Sequence, residues 1–193
     1  MTILILGLIL FLGVHSIRVF AEPLRTSMRE KMGPNTYKGL YTLISFVGLG
    51  LIIWGYPQTR IDAVYLWHPP AATRHVATLL TLIAFILIAA SSVPGNRIKA
   101  LVKHPMSIGV KLWAFAHLLA NGRLGDVVLF GAFMVWAILT YRAARERDRI
   151  NNLPAPAIKG VTEDVITIGA GIGMWALITF ALHGPLIGVR PFG

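Results

Sequence analysis

Apolar residues fill six stretches of the chain, and polar or turn-forming residues separate them. The stretches are 3–20, 39–56, 76–93, 106–120, 124–141 and 165–183. Each approaches the roughly 20 residues that an α-helix needs to cross a hydrocarbon core. The pattern therefore predicts an all-α polytopic bundle of six transmembrane helices. Turn chemistry marks the breaks, as in Met32-Gly33-Pro34-Asn35, His68-Pro69-Pro70, Val93-Pro94-Gly95-Asn96, Asn121-Gly122 and Leu153-Pro154-Ala155-Pro156. No break is long enough for a second domain, so residues 1–193 are expected to form a single integral membrane domain. The first stretch follows Met1-Thr2 with no basic segment and no small-residue cleavage site, and it is expected to remain as a helix.

Composition agrees with the pattern. Of the 193 residues, 55% are hydrophobic and 13% charged, against about 25% charged in soluble domains. The expected surroundings are a lipid bilayer. Without cysteine there is no disulfide, thiolate metal site or cysteine nucleophile. The net charge of +10 lies at the ends of apolar stretches rather than in one patch, so no nucleic acid partner is expected.

The same charges orient the chain. Fourteen of the 18 lysines and arginines fall in or beside the first, third and fifth loops. The other four are Arg60, Arg74, Arg123 and Arg190, on the alternate side. Six helices satisfy the positive-inside rule, whereas five helices without 106–120 would put the rich loops on opposite sides. Both termini are then periplasmic, in a bacterial inner membrane.

Ionisable residues inside a bilayer are expensive and mark sites. His15 and His117 are the two that lie deep within apolar stretches. At 1.5 Å per residue, each falls within roughly one turn of the midplane. Neutral imidazole ligates haem iron, and bundle cores accept cofactors between facing helices. Zinc fits less well, because no third ligand lies at that depth. Met106, Gly109, Trp113 and His117 share one helical stripe, and Leu8, Phe11 and His15 share another. Gly109 offers either a slot for a flat macrocycle, with Trp113 and Phe11 as walls, or a place for close packing of a neighbouring helix. Gly169, Gly171 and Gly173 read as tight helix packing rather than a phosphate loop. The basic groups nearest the cytoplasmic ends of the two histidine helices are Arg18 and Lys103, followed by Lys111; they are candidates to neutralise haem propionates. No carboxylate dyad or Ser/His/Asp order supports acid–base or nucleophilic catalysis.

Three motifs go further: Gly-Val-His-Ser at 13–16, Arg29 through Tyr41, and Lys103-His104-Pro105 followed by Trp113, Ala116-His117-Leu118-Leu119 and Asn121-Gly122. With them the chain resembles, over nearly its whole length, the NnrU family of membrane proteins associated with denitrification. Relatives of that family include the plant and cyanobacterial 15-cis-ζ-carotene isomerase. Lys103 stands where the motif typically has arginine, which weakens bidentate contact with a carboxylate but keeps the charge. The resemblance implies a haem b protein with metal ligands His15 and His117. His104 then touches a propionate or the following helix. Two roles follow from it: an isomerase or redox enzyme acting on a lipid-soluble substrate, or a non-catalytic haem sensor or accessory to nitrite and nitric oxide reduction. A basic residue before His-Pro at the start of a membrane helix is also similar to isoprenylcysteine-type methyltransferases, which need a pocket for S-adenosylmethionine and a later acidic residue.

The orientation is tested by fusing a reporter that is active only in the periplasm. Fusion at Gly193 is expected to give signal and fusion after Arg149 none; the opposite pattern reverses the topology.

Overall fold

Proline and glycine set where the helices begin and how closely they approach. The computed structural model describes residues 1–192. Its helices are α1 (Thr2–Phe20), α2 (Glu22–Met32), α3 (Pro34–Gln58), α4 (Ala72–Ser92), α5 (Arg97–Val102), α6 (Pro105–Ala120), α7 (Leu124–Ile150), α8 (Val161–Ala176) and α9 (His183–Ile187). A π-helical turn, Leu177–Leu182, joins α8 to α9. Prolines occupy the first turns of α2, α3 and α6, where the missing N–H has no partner to lose. The π turn comes just before Pro185, where a regular α-helix would set the ring against the carbonyl of Ala181.

The fold is all-helical among the described residues, apart from one isolated bridge between Tyr65 and Arg123. Five helical segments have the length and hydropathy to cross a membrane: Thr2–Phe20, Pro34–Gln58, Ala72–Ser92, Leu124–Ile150 and Val161–Ile187. Large apolar side chains such as Ile9, Phe46, Val135 and Val165 are exposed on them, as lipid-facing side chains are. The stretch 106–120 forms α6, which is apolar but only 16 residues long. That length gives about 24 Å at 1.5 Å per residue, short of a core about 30 Å thick. Two further helices, α2 and α5, lie in segments that read as loops in the sequence.

The helices gather into two compact units. In Met1–Val64, α1 lies along α3 and α2 touches both. A Cβ at Gly48 would stand 2.7 Å from the backbone nitrogen of Phe11, and one at Gly55 would stand 2.6 Å from that of Leu4. Gly7 meets the backbone of Ile52 in the same way, at 2.7 Å. Such small-residue contacts bring helix backbones together where apolar burial offers no drive of its own.

From Tyr65 onward, α4 is the central element. Helices α6 and α8 pack on it, α7 packs on α6, and α5 touches α4, α6 and α8. Gly109 of α6 faces the carbonyl of Ala84 and the side chain of Ile88, and Gly171 of α8 faces the backbone of Ile86. Gly169 and Gly173 face open space, so of the three glycines on α8 only Gly171 is used in packing. Asn96 closes the α4–α5 turn: fully buried, it donates to the carbonyls of Ala90 and Val93 and accepts from the Lys99 amide.

Gly48→Leu is expected to destabilise the protein in detergent by about 1–3 kcal/mol or more, through overpacking. Gly50→Leu, with nothing within 4 Å of a new Cβ, is expected to leave the melting temperature unchanged. Equal melting of both variants removes the proposed α1–α3 contact.

Candidate functional site

His15 and His117 are built alike. In each the ring Nδ1 donates to the carbonyl four residues earlier, Phe11 at 2.6 Å and Trp113 at 2.9 Å. A carbonyl only accepts, so Nδ1 carries the proton and the lone pair of the neutral ring is on Nε2. An aromatic residue at the same i−4 position packs on each imidazole. Phe11 stacks on His15 with centroids 4.3 Å apart, and Trp113 tilts against His117 at 4.9 Å. A neighbouring helix adds a second ring: Tyr41 of α3 lies 5.1 Å from His15, and Phe130 of α7 stacks on His117 at 4.4 Å. Trp113 in turn meets Phe130 and Phe133 edge-on, at 5.1 and 5.5 Å. Periodicity pointed to Phe11 and Trp113; Tyr41 and Phe130 come from helix pairing, which no local spacing reveals.

Lys103 and His104 form a different structure at the start of α6. Pro105 cannot continue a helix from α5, because its ring would meet the carbonyl of Leu101, and it disfavours the α region for the residue before it, where His104 stands at φ −120°, ψ 61°. The turn therefore falls on Lys103, with φ 60° and ψ −47°. The His104 amide donates to the Val102 carbonyl at 2.7 Å, which closes a γ-turn of the rare, strained hand. A residue held this way costs on the order of 1–3 kcal/mol and persists only when its surroundings hold it. Two contacts with α7 do so. Lys103 Nζ donates to the Leu153 carbonyl at 3.3 Å, and His104 Nε2 donates to Asp148 Oδ2 at 2.9 Å. The α7 terminus is itself fixed by a paired cap, Leu153 N to Asp148 O at 2.9 Å and Asn152 N to Arg149 O at 3.3 Å, with Asn152 at φ 48°.

The residues that the sequence nominated together thus divide. His15 and Arg18 lie on α1, Arg18 exposed and one turn beyond the histidine. Trp113 and His117 form one cluster on α6. Lys103 and His104 stand at the other end of that helix, where 12 residues from Pro105 to His117 span about 18 Å. Their side chains turn to the end of α7, where His104 touches Asp148 and Lys103 the Leu153 carbonyl. At Gly109 the close-packing alternative matches the geometry: a Cβ there would stand 2.8 Å from the Ala84 carbonyl of α4. Lys111 lies over the Tyr141 ring at 5.6 Å. Of the remaining histidines, His183 donates to the Val189 carbonyl at 2.6 Å and His68 stacks on Tyr65 at 4.9 Å. Among the described residues, no three His, Asp or Glu side chains converge to hold a metal ion.

A family model described as NnrU protein matches residues 3–191. No curated protein and no solved structure matches the chain.

If His104 and Asp148 hold the Lys103 turn as a pair, the variants His104→Ala and Asp148→Ala are non-additive. A double-mutant cycle by chemical unfolding is expected to give a coupling of about 0.5–3 kcal/mol. Additivity within about 0.3 kcal/mol shows that the contact holds nothing.

Proposed function

The chain belongs to the NnrU family, and we propose that it is an integral membrane haem b protein with His15 and His117 as iron ligands. One observation carries this reading: both imidazoles are anchored through Nδ1 to the carbonyl four residues earlier and flanked by two aromatic rings. Anchoring one ring nitrogen fixes the tautomer and orientation of the other, which is how ligating histidines are prepared for a metal. The porphyrin provides four of the iron's ligands, so single imidazoles suffice where a bare ion needs three or more protein donors. When bound, haem would supply a one-electron couple. The chain's own part is to orient two imidazoles, to keep water from them with Phe11, Tyr41, Trp113 and Phe130, and to set Arg18 and Lys111 against the propionates.

On this reading α6 is a sixth span, shortened because α4 and α7 cover it, and both termini face the periplasm of an inner membrane. The role is either turnover of a lipid-soluble substrate, as isomerase or redox enzyme, or a non-catalytic sensor or accessory function in denitrification. A methyltransferase reading has one observation in its favour: the Lys103 turn shares a cavity with Glu146 and Asp148, an acidic pair that such enzymes would use beside S-adenosylmethionine.

Absorption spectra of the detergent-purified protein, oxidised and reduced, separate these readings. Stoichiometric haem with a six-coordinate low-spin spectrum is expected. His15→Gln and His117→Gln are each expected to give a five-coordinate or haem-depleted protein, partly restored by added imidazole, while His68→Gln keeps the parental bands. Ligand variants with parental spectra, alongside loss in His75→Gln or His183→Gln, refute the assignment. Isothermal binding of S-adenosylmethionine by a haem-free protein refutes haem altogether.

A further inference from the structure

A cavity of about 1010 Å³ opens where the Lys103 turn meets the last turns of α7. Four cations line it, Lys103, Arg142, Arg145 and Arg149, against two carboxylates, Glu146 and Asp148. Both carboxylates are already engaged: Glu146 Oε1 accepts from Arg149 at 2.8 Å, and Asp148 accepts from His104. Lys103 meets only a neutral carbonyl. Among the described residues, no carboxylate lies within 4.0 Å of Arg142 or Arg145. Four cations against two carboxylates leave the opening two positive charges in excess, and Lys103, Arg142 and Arg145 have no ion pair among the described residues.

Helix-end electrostatics does not account for them. The negative end of a helix dipole acts over the last turn, where Arg147 and Arg149 sit, whereas Arg142 and Arg145 lie one to two turns earlier. Nor does topology alone require a cavity, or the two non-glycine residues with positive φ, Lys103 and Asn152, both of which line this one. The face of α7 says what fits. Val135, Ile138, Arg142, Arg145 and Arg149 follow one another at steps of three and four residues, hence on a single stripe. All five are exposed. The stripe is apolar within the hydrophobic stretch and cationic where that stretch ends at Tyr141.

We propose that this stripe and cavity bind an anionic phospholipid, its headgroup phosphate held by Arg142, Arg145 and Lys103 and an acyl chain laid along Ile138 and Val135. Phosphate oxygens accept the forked donors of arginine, and a basic pocket at a helix end near the membrane surface collects anionic headgroups. A free phosphate ion offers the same chemistry to the arginines but has nothing to place on Val135 and Ile138.

The test uses the full chain in nanodiscs of mixed phosphatidylglycerol and phosphatidylcholine, with the lipid retained after detergent extraction measured by native mass spectrometry. The wild type is expected to retain phosphatidylglycerol in preference. Arg142→Gln/Arg145→Gln is expected to lose that preference several-fold, and Lys38→Gln/Arg74→Gln, which removes the same charge elsewhere, is expected to keep it. Arg145→Gln alone is expected to give an intermediate loss, and it carries the test if the double variant does not fold. Val135→Ser/Ile138→Ser is expected to weaken retention with the arginines intact. Unchanged preference in the arginine variants overturns the site. Full displacement of the lipid by millimolar inorganic phosphate, or by S-adenosylmethionine, assigns the cavity to that ligand and overturns the lipid.

Discussion

In the second unit, helix α6 exists as it does because α4 lets it come close. At 16 residues, α6 is apolar but too short for its own hydropathy to set its place. Its position comes from Gly109 against the backbone of α4 and from the aromatic contacts that Trp113 and His117 make with α7. Gly171 applies the same device on α8, so α4 is gripped at Ala84–Ile88 by two missing side chains. Apolar surface is no asset between helices when the solvent is lipid; close van der Waals approach and internal polar contacts set the arrangement. His117 inherits its orientation from that arrangement, since Phe130 can stack on it only while α6 and α7 stay at this distance.

Much of this was legible in the residues, and the failures have physical reasons. Six apolar stretches correspond to α1, α3, α4, α6, α7 and the α8 region, because length and hydropathy are local properties. Helices α2 and α5 escaped notice, since a short charged segment is helical only where its neighbours hold it. Their prolines and caps were visible: Glu22-Pro23 opens α2 and Asn96 caps α5. The glycines show the harder limit. Gly169, Gly171 and Gly173 are alike in sequence, yet only Gly171 meets another helix, because packing selects a face that composition does not name. Gly109 was noticed, but the helix that fills its notch belongs to a stretch some twenty residues earlier.

The two histidines were chosen by depth, and the structure adds what depth cannot give. Each ring is held at Nδ1 and flanked by two aromatics, one local and one from the partner helix. The local half was readable as an aromatic residue four positions ahead. The hydrogen bond settles the tautomer, and with it which nitrogen is available for coordination. That is a property of side-chain direction on a helix: residues four apart lie over one another, so a histidine can reach back to the carbonyl of the turn it covers.

The Lys-His-Pro motif is explained by the backbone before any ligand. Proline forbids a helix running from α5 into α6, histidine is kept out of the α region before it, and Lys103 absorbs the reversal. Glycine would take that conformation without strain, yet the position holds lysine. The conformational cost at Lys103 is borne by its tie to Leu153 and by that of His104 to Asp148, and Lys103, Leu153 and Asp148 line the cavity at the end of α7. The side chain that this backbone position presents is a cation at the edge of an apolar surface, about 18 Å along α6 from the imidazole of His117. The motif and the histidine therefore stand at opposite ends of one helix. Changes at the Lys103 end act on His117 only through the packing of α6 against α4 and α7.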